Sequence, residues 1–422
     1  MKRAASECAW RWRSSQSDPL LGLPANRTPA PAPLLAPKDA YEFVRRQVGS
    51  AASAPKVFVY KSTLNVNKLI LKEYSERFLD PLSPYSQFAA EHIIHMNLVD
   101  SRYYTRKMSE ADIFFVPFYG RMARAKDISD RLKAETVRML RESKYWQRRG
   151  GRDHVFVLSG AQRHFGQGIF GRELWRMMQS GILLTVDSPR GNDLPREMTQ
   201  FVVPYWVPPP GTRGPRGQVI PNATFAPREA RNLDVWFEGT RTRSKANNLR
   251  NKILPCVFRS CERSLVTAHH TLADEKMVLE TFDHMLRARF CLCPLGVTPG
   301  SRRLFESVSF NCVPTLISDS LRVPYEEWLD YSQMAVRIPE KCAQMTPQLL
   351  TEHYMERFED YRAAVEAVRP LFLYRPMGPS LDHSAVRDAY RKEDEARLRE
   401  SRPRELSAID AVFATIKVAL KI

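Results

Sequence analysis

The stretch of residues 290–324 does most to constrain what this chain can fold into. It opens with a short apolar run at 290–293, and a second run follows at 313–317; both have the length of a buried strand. A loop containing Gly296 lies between them and leads to Ser301, a favourable N-cap residue for a helix. The order strand, loop, helix, strand predicts one unit of a parallel α/β sheet.

The start of this helix is a candidate site for an anion. A helix N-terminus presents unpaired N–H groups and the positive end of the helix dipole, which suit a phosphate. Arg303 and Glu306 are three residues apart and share one face of the helix. Arg303 would hold a diphosphate, and Glu306 would accept hydrogen bonds from ribose hydroxyls. The same spacing is also that of an ordinary surface ion pair, so the motif needs support from elsewhere in the chain.

The composition indicates a globular protein with anionic partners. With 422 residues the chain is long enough for two domains, and a hydrophobic content of 43% supports packed cores. There are 64 Lys and Arg against 47 Asp and Glu, a formal net charge of +17. This balance favours nucleotides, acidic polysaccharides, nucleic acids or membrane surfaces as partners. No basic helix with base-reading polar side chains stands out, so nucleic acid is not an expected partner.

The seven cysteines give no metal or redox motif, because no C-x-x-C pair occurs. Cys291 and Cys293 lie two apart in a predicted strand, so both project to one face and are most simply core thiols. Cys256 and Cys261 are five apart around a predicted turn and would form a disulfide only in an oxidising compartment.

The first half of the chain alternates between strand and helix patterns. Apolar runs predict its strands at 57–60, 113–116, 155–158 and 182–186. Strands that alternate with helices indicate a parallel sheet with helices on both faces. Ligands of such sheets bind outside the carboxyl ends of the strands. We therefore expect functional residues in the segments 118–120, 159–164 and 187–192.

The second half contains another unit with the same order of elements as residues 290–324. A stretch rich in Pro and Gly, 207–227, is the best candidate for a linker. A strand at 233–238 then leads to a loop with Gly239 and Arg241, and to a helix that carries Arg250. This is again a strand, a glycine-containing loop and a helix, with added positive charge.

Six blocks in this order resemble the exostosin-like glycosyltransferases of family 47. The blocks are residues 57–60, 85–95, 111–120 (ADIFFVPFYG), 151–158 (GRDHVFVL), 236–239 and 290–340. The resemblance spans residues 56–340, about two thirds of the chain. The most specific block is the last, which contains FCLCPLG, SRRLFESVSFNCVPTLISD and VPYEEWLDYSQMAVRIPE.

The resemblance implies an α/β fold of the GT-B type, with two Rossmann-like domains facing across a cleft. It further implies an inverting enzyme that moves a sugar from a nucleotide sugar, most simply a UDP-sugar, to a cell-wall or extracellular glycan or a glycoprotein. The implied organisation is a disordered tail or stem at 1–54, an N-terminal Rossmann-like acceptor domain at 55–206, a Pro/Gly-rich linker at 207–232, a C-terminal nucleotide-sugar-binding domain at 233–400 and a C-terminal helix at 401–422.

The resemblance also implies which residues hold the donor. Arg303 and Glu306 match the Arg and Glu that contact the diphosphate and the ribose in the family. The full set of nucleotide-sugar-binding residues is Arg241, Arg250, Gly296, Ser301, Arg303 and Glu306. The two additional arginines would neutralise the diphosphate.

An inverting transfer needs a base for the acceptor hydroxyl and positive charge for the departing diphosphate. We expect the base at the carboxyl end of a strand in the first domain, with His164 as the first candidate and Asp187 as the second. For each, the alternative is a loop residue that caps a nearby helix. The sequence contains no convincing Asp-x-Asp motif, so no catalytic metal or other cofactor is expected.

One departure from the family concerns the expected location. Family members usually carry an N-terminal membrane helix, whereas this sequence shows no run of about 18 apolar residues. The location expected from the resemblance is the Golgi membrane or lumen.

Two other functions stay open: a non-catalytic partner subunit of a glycosyltransferase complex, homo- or hetero-oligomeric, and a basic glycan-binding protein.

Overall fold

Parallel strands joined by helices form both halves of this protein. The structure is a computed structural model that describes residues 34–49, 54–61, 63–159, 168–187, 198–214, 217–221, 231–240, 249–250, 252–253, 264–269, 274–296, 300–375 and 405–420. The chain divides into two compact units. The first unit consists of Glu42–Ile220, Val323–Tyr325 and Pro370–Ile422, and the second of Met1–Tyr41, Pro221–Arg322 and Glu326–Arg369.

The first unit is built on a six-stranded sheet. In chain order its elements include α1 (Pro37–Val48, which starts in the second unit), β1 (Val57–Val59), α2 (Leu64–Leu79), α3 (Ala90–Val99), β2 (Tyr104–Thr105), β3 (Ile113–Phe115), α4 (Lys126–Glu142), α5 (Lys144–Arg149), β4 (His154–Leu158), α6 (Gly171–Met177), β5 (Ile182–Thr185), β6 (Thr199–Val202) and α11 (Ala408–Leu420). The strand order is β2-β1-β3-β4-β5-β6, and every neighbouring pair is parallel. All six carboxyl ends therefore point to one edge.

The second unit is built on a five-stranded sheet. Its elements include β7 (Leu233–Thr240), β8 (Ser264–His269), α7 (Glu275–Arg287), β9 (Ala288–Pro294), α8 (Arg302–Ser309), β10 (Val313–Ile317), β11 (Val336–Arg337), α9 (Thr346–Leu349) and α10 (Phe358–Val368). The order is β11-β10-β9-β7-β8, again parallel throughout. The predicted strand-loop-helix-strand unit is confirmed, and β9 lies at the centre of the sheet.

Shorter turns connect these elements. In the first unit, 3₁₀ turns lie at Ser86–Phe88, Met108–Glu110 and Met178–Ser180. In the second, they lie at Tyr331–Gln333, Glu340–Met345 and Met355–Arg357, with one π-helical turn at Leu350–Tyr354; a further 3₁₀ turn is Arg369–Phe372. The predicted strands match the observed ones to within two or three residues, because buried apolar runs define them locally. The predicted fold class, α/β with two Rossmann-like domains, is confirmed.

Both ends of the described chain are more ordered than the sequence suggests. Helix α1 lies within the segment predicted as tail or stem, yet it buries Ala40, Val44 and Val48, which are spaced four residues apart. At the other end, α11 belongs to the first unit rather than standing alone. Its residues 408–416 are all buried. A helix that is apolar on every side needs such a position, because water cannot solvate any of its faces.

One prediction about the cysteines is wrong. Cys293 is a buried free thiol as expected, but Cys291 forms a disulfide with Cys312, with 5.9 Å between the two Cα atoms. The reason is the register of β9 and β10, which pairs Cys291 with Pro314. Cys312 lies two residues before Pro314 and is therefore close to Cys291. Cys342 is also disulfide-bonded. Cys256 and Cys261 lie outside the described residues.

In the described ranges, no helix is both long and apolar enough to cross a membrane.

Candidate functional site

Arg303 occupies the carboxyl edge of the sheet in the second unit. It is the second residue of α8, which follows the loop after β9. Its Nε donates a hydrogen bond to the carbonyl oxygen of Glu238, near the end of β7, over 2.8 Å. Its guanidinium also lies 5.5 Å from the ring centroid of Trp236. Two residues of β7 therefore fix the position of this side chain, and 20% of it stays exposed.

Glu306 lies beneath a pair of arginines. Its Oε1 is 2.7 Å from Nε of Arg302, and its Oε2 is paired with Nη1 of Arg303. The carboxylate is only 3% exposed, so this is not the surface ion pair that the spacing also allowed. A buried carboxylate must be paired to remain charged, and here each oxygen has a cationic partner. The arrangement holds Arg303 in one orientation.

Arg250 provides a second positive charge at the same edge. Its Nε donates to the carbonyl oxygen of Leu295, just after β9, over 3.3 Å. Its guanidinium packs 5.6 Å from the ring centroid of Phe237. Burial, together with the nearby charge of Arg303, lowers the pKa of Arg250 to about 10, which leaves it charged at neutral pH. The charges of Arg250 and Arg303 are close enough to repel each other, and an anion between them would relieve that repulsion.

Gly239 allows the Phe237 ring and Arg250 to lie close to the backbone of β7. A Cβ atom at Gly239 would lie 2.8 Å from the ring of Phe237 and 3.5 Å from Nη1 of Arg250. The first distance is shorter than real Cβ contacts, so a side chain here would displace the ring on which Arg250 packs. The absence of a side chain at Gly239 therefore leaves room for the Phe237 ring and for the Arg250 guanidinium that packs on it.

Carboxylates also lie at this edge. Glu238 accepts a hydrogen bond from Thr281 over 2.9 Å, and Nδ1 of His284 is 3.9 Å from the same oxygen, Oε2. After β10, Arg322 pairs with Glu326 and, at 3.6 Å, with Glu327. These carboxylates therefore have partners of their own, separate from Arg250 and Arg303.

At the carboxyl edge of the first unit, Glu91 is the most perturbed carboxyl. It lies in the first turn of α3 and is 1% exposed. Its carboxyl accepts hydrogen bonds from the backbone N–H of Arg121 at 3.1 Å and of Ser159 at 3.2 Å. Burial raises the pKa of Glu91 to about 8, although both N–H groups favour the charged form. This carboxyl joins the loop after β3 to the end of β4.

Two histidines of α3 meet the same region. Nδ1 of His92 and Nδ1 of His95 lie 3.0 and 2.6 Å from the hydroxyl of Tyr119. Burial lowers the pKa of each histidine to about 3, so both are neutral near pH 7. The two histidines and Tyr119 form a packed polar cluster.

The comparison with protein families decides the identity of the chain. A model of the exostosin GT47 domain matches residues 51–352, which is more than half of the sequence. The chain belongs to the exostosin GT47 family. Members of this family are glycosyltransferases, and this chain is therefore a glycosyltransferase.

The GT47 chain is similar to several plant proteins. It is 28% identical over 315 residues to the probable beta-1,4-xylosyltransferase IRX10L of Arabidopsis thaliana, covering 70% of each chain. It is 28% identical over 279 residues to a probable glucuronoxylan glucuronosyltransferase of the same plant, covering 60% of this chain and 55% of that protein. It is 26% identical over 282 residues to the probable arabinosyltransferase ARAD1, also from Arabidopsis thaliana, covering 63% and 58%.

Among solved structures, the GT47 chain is similar to the pneumococcal O-GlcNAc transferase GtfA in complex with UDP and GlcNAc. The sequence identity is 10%, the TM-score is 0.30, and the match covers 63% of this chain and 60% of that one. A TM-score this low supports no residue-level argument.

In the GT47 chain, five of the six donor residues predicted from the sequence lie among the described residues, in the loops and helices after β7 and β9. Arg250 and Arg303 come together, and Glu306 pairs with Arg303. Ser301 is the N-cap residue of α8, as predicted, but its hydroxyl makes no capping hydrogen bond within the described helix. Gly296 is buried directly after Leu295. Arg241 lies outside the described residues.

The two candidates for the base have different outcomes. His164 lies outside the described residues. Asp187 follows β5 at the carboxyl edge, as predicted, and is 1% exposed. Its backbone forms a turn with Thr185, whose hydroxyl donates to the carbonyl oxygen of Asp187 over 2.8 Å. The catalytic role of either residue stays a prediction.

Sequence reasoning missed Glu91, Arg302 and Glu238. Arg302 precedes Arg303, so the double arginine SRRLFE was itself a signal that Glu306 would have two partners. An acidic residue in the first turn of a mostly apolar helix was a signal for Glu91. In the described part of the chain, no group of three or more His, Cys, Asp or Glu side chains is placed to bind a metal. The expectation of a metal-free reaction stays a prediction.

Proposed function

We propose that this GT47 enzyme transfers a sugar from a UDP-sugar to a glycan of the cell wall or extracellular matrix, with inversion at the transferred carbon. One observation carries the proposal: Arg303 is fixed by Glu306 and by the carbonyl of Glu238, beside Arg250, at the carboxyl edge of a parallel sheet. Ligands of α/β sheets bind at this edge. The names of the plant relatives, which are xylosyl-, glucuronosyl- and arabinosyltransferases, support the class of donor and acceptor.

In this proposal the arginines perform the electrostatic part of the reaction. Arg303 and Arg250 stabilise the negative charge that develops on the departing diphosphate, aided by the N-terminus of α8. Glu306 acts through Arg302 and Arg303 as a positioning residue, since its own oxygens are paired and buried. Because guanidinium groups provide this charge, we propose that the reaction needs no catalytic metal, and that EDTA leaves activity unchanged.

The acceptor hydroxyl loses its proton to a base in the first unit. His164 is the first candidate, since a histidine has a suitable pKa, and Asp187 is the second. The base takes the proton as the acceptor oxygen attacks the sugar carbon and the bond to the diphosphate breaks. Attack from the face opposite the diphosphate inverts that carbon.

We also propose that the enzyme works in the Golgi, at its membrane or in its lumen. The disulfide between Cys291 and Cys312 supports an oxidising compartment, because cytosolic thiols are kept reduced. Assembly with further copies or with other glycosyltransferases is part of the same proposal.

A donor-hydrolysis screen tests the activity. The purified full chain is incubated with a panel of UDP-sugars, and released UDP is measured for the wild type, Arg303→Ala and Arg287→Ala. Arg287 is the matched control, since it is a partly exposed arginine of α7 that pairs with Asp283. We expect Arg303→Ala to lose about 100-fold or more in kcat/KM, and Arg287→Ala to keep its activity. Equal activity of all three proteins would refute the assignment of the donor site.

Binding measurements on the same purified chain separate the two alternative functions. If the folded wild type binds no UDP-sugar by calorimetry and co-purifies with another glycosyltransferase, it is a non-catalytic partner subunit. If it binds glycans with a strongly salt-dependent affinity and no requirement for nucleotide, it is a basic glycan-binding protein.

A further inference from the structure

A basic pocket lies in the first unit, away from the residues discussed so far. It is lined by Arg148, Arg149, Gly150, Arg152 and Ser180, and its volume is about 510 Å³. Pockets that hold small ligands span roughly 300–1,000 Å³. Three of the five lining residues are arginines, and none carries a large apolar side chain. The pocket therefore fits a hydrophilic anion better than a lipid or an apolar ligand.

A buried carboxylate orients two of these arginines. Oδ2 of Asp153 is 3.0 Å from Nη2 of Arg148 and 3.9 Å from Nε of Arg149. The carboxylate is 4% exposed, and its other oxygen contacts Nδ1 of His154 at 2.8 Å. Arg148 and Arg149 keep 45% and 58% of their side chains exposed. One carboxylate among three guanidinium groups leaves the pocket positively charged.

A glycine turn fixes the shape of the pocket. Gly150 ends α5 in the left-handed conformation, with φ of 57°, and Gly151 follows with φ of 79°. A Cβ atom at Gly151 would lie 2.4 Å from the ring of Trp146. The turn that separates Arg149 from Arg152 therefore depends on two residues without side chains.

The basic pocket is at the amino edge of the sheet. Residues 150–152 directly precede β4, and Ser180 directly precedes Gly181 and β5. Ser159 and Asp187, by contrast, follow the carboxyl ends of the same strands. Since β4 has five residues, about 16 Å of strand separate the two edges. A ligand in the pocket is thus not at the edge where an α/β sheet places its reacting ligand.

We propose that the basic pocket binds the carboxylate groups of an acidic glycan chain, and so holds the glycan at a site separate from the transfer reaction. Guanidinium groups match carboxylates through paired hydrogen bonds, which favours uronic-acid units over neutral sugars. That the anion belongs to a glycan rests on the proposed function, whereas the binding of carboxylates rests on the pocket alone.

The test measures the binding of a fluorescently labelled oligogalacturonide to the full chain, with a neutral xylo-oligosaccharide of equal length as the comparison. The variant Arg149→Ala/Arg152→Ala is compared with Arg46→Ala/Arg138→Ala, which removes two exposed arginines elsewhere in the same unit. Loss of two charge-assisted contacts predicts affinity weaker by about tenfold or more in the first variant. The control pair should change affinity by less than about twofold.

Three outcomes would overturn the proposal: no binding of the oligogalacturonide to the wild type, equal weakening in both double variants, or equal binding of the neutral oligosaccharide. A further arm measures binding to phosphatidylserine vesicles. The proposal would be replaced by a membrane-binding pocket if the wild type binds these vesicles but not the oligogalacturonide, and if Arg149→Ala/Arg152→Ala abolishes the vesicle binding. Arg303→Ala should bind the oligogalacturonide normally, and Arg149→Ala/Arg152→Ala should hydrolyse UDP-sugar normally. If no UDP-sugar is hydrolysed but the oligogalacturonide binds, the proposed function fails and the anion site stands.

Discussion

Arg303 donates a hydrogen bond to the carbonyl oxygen of Glu238 over 2.8 Å, although the two residues are 65 positions apart in the chain. The contact connects the first turn of α8 to the end of β7, which is next to β9 in the sheet. Glu306 holds the same guanidinium from the other side. The Arg303 side chain is therefore oriented before any ligand arrives, and preorganised charge of this kind is what stabilises a leaving group most effectively.

Replacing Glu306 should weaken donor binding without removing a group that touches the donor. Glu306→Gln keeps the size of the side chain but removes the charge that holds Arg302 and Arg303 together. We expect kcat/KM for the UDP-sugar to fall by about tenfold, because Arg303 is no longer held where the charge of the diphosphate develops. The control is Glu280→Gln on α7, where a half-exposed glutamate pairs with Lys276. The same kcat/KM in the wild type and in Glu306→Gln would contradict a positioning role.

The stability of the protein should depend on the protonation of Glu91. Its pKa in the folded state is about 8, above the ordinary value of 4.5, so the folded protein keeps a proton that the unfolded chain releases. Between these pH values the unfolded state binds fewer protons, and stability falls as pH rises. Glu91→Gln should lose this contribution, because its amide does not titrate.

The measurement is urea denaturation of the wild type and of Glu91→Gln from pH 5 to pH 9. The free energy of unfolding of the wild type, relative to Glu91→Gln, should decrease from pH 5 to about pH 8 and then level off. Contributions from His92 and His95 are shared by both proteins and cancel in the difference. Parallel pH profiles would show that Glu91 titrates normally. Glu142→Gln, at the exposed end of α4, should match the wild type.

Asp410 should be essential for the docking of α11 within the first unit. Its Oδ1 accepts a hydrogen bond from the hydroxyl of Tyr103 at 2.8 Å and lies 3.4 Å from Nη2 of Arg102. Its Oδ2 accepts from the backbone N–H of Ser407 at 2.9 Å. Asp410→Asn should lower the free energy of unfolding by about 2–3 kcal/mol, since hydrogen bonds to a buried charge are lost.

Equilibrium denaturation in urea checks this value, with Asp130→Asn as the control. Asp130 pairs with Lys133 on the exposed side of α4, and its replacement should cost less than about 0.5 kcal/mol. A similar cost for both variants would show that α11 is not anchored by this carboxylate.

The disulfide between Cys291 and Cys312 should stabilise the second unit. It closes a loop with a sequence separation of 21 residues. In the chain-entropy account, removing it with Cys291→Ala/Cys312→Ala should lower the free energy of unfolding by about 3 kcal/mol. Cys293→Ala removes a buried thiol without opening a loop, and we expect a cost of about 1 kcal/mol. Denaturation under non-reducing conditions measures both, and equal costs would argue against the loop effect.

Much of the second unit was accessible from the sequence because its signals are local. Residues 313–317 were predicted as a strand and form β10 without any change in bounds. Arg303 and Glu306 were placed on one helix face from their spacing, and they do form an ion pair. What the spacing left open was burial, since a surface pair and a buried pair have the same sequence separation.

Contacts between segments that are distant in the chain could not be predicted from the sequence. Glu91 accepts a hydrogen bond from Ser159, which is 68 residues away, and Asp410 accepts one from Tyr103, 307 residues away. Cys291 was assigned to the core as a thiol because its partner comes after an intervening helix. Nothing in a single sequence states which polar group a buried side chain will meet, since that depends on how whole elements pack.

The sequence by itself determined the alternation of strands and helices, the α/β class and the positions of Arg250 and Arg303 after glycine-containing loops. These features follow from periodicity and from turn residues, which act over a few positions. Only the tertiary structure decided that Glu306 is buried between two arginines, that Glu91 is held in its uncharged form near neutral pH, and that three arginines surround one pocket. Burial and pKa depend on which groups surround a side chain in space, and the folded packing alone sets those surroundings.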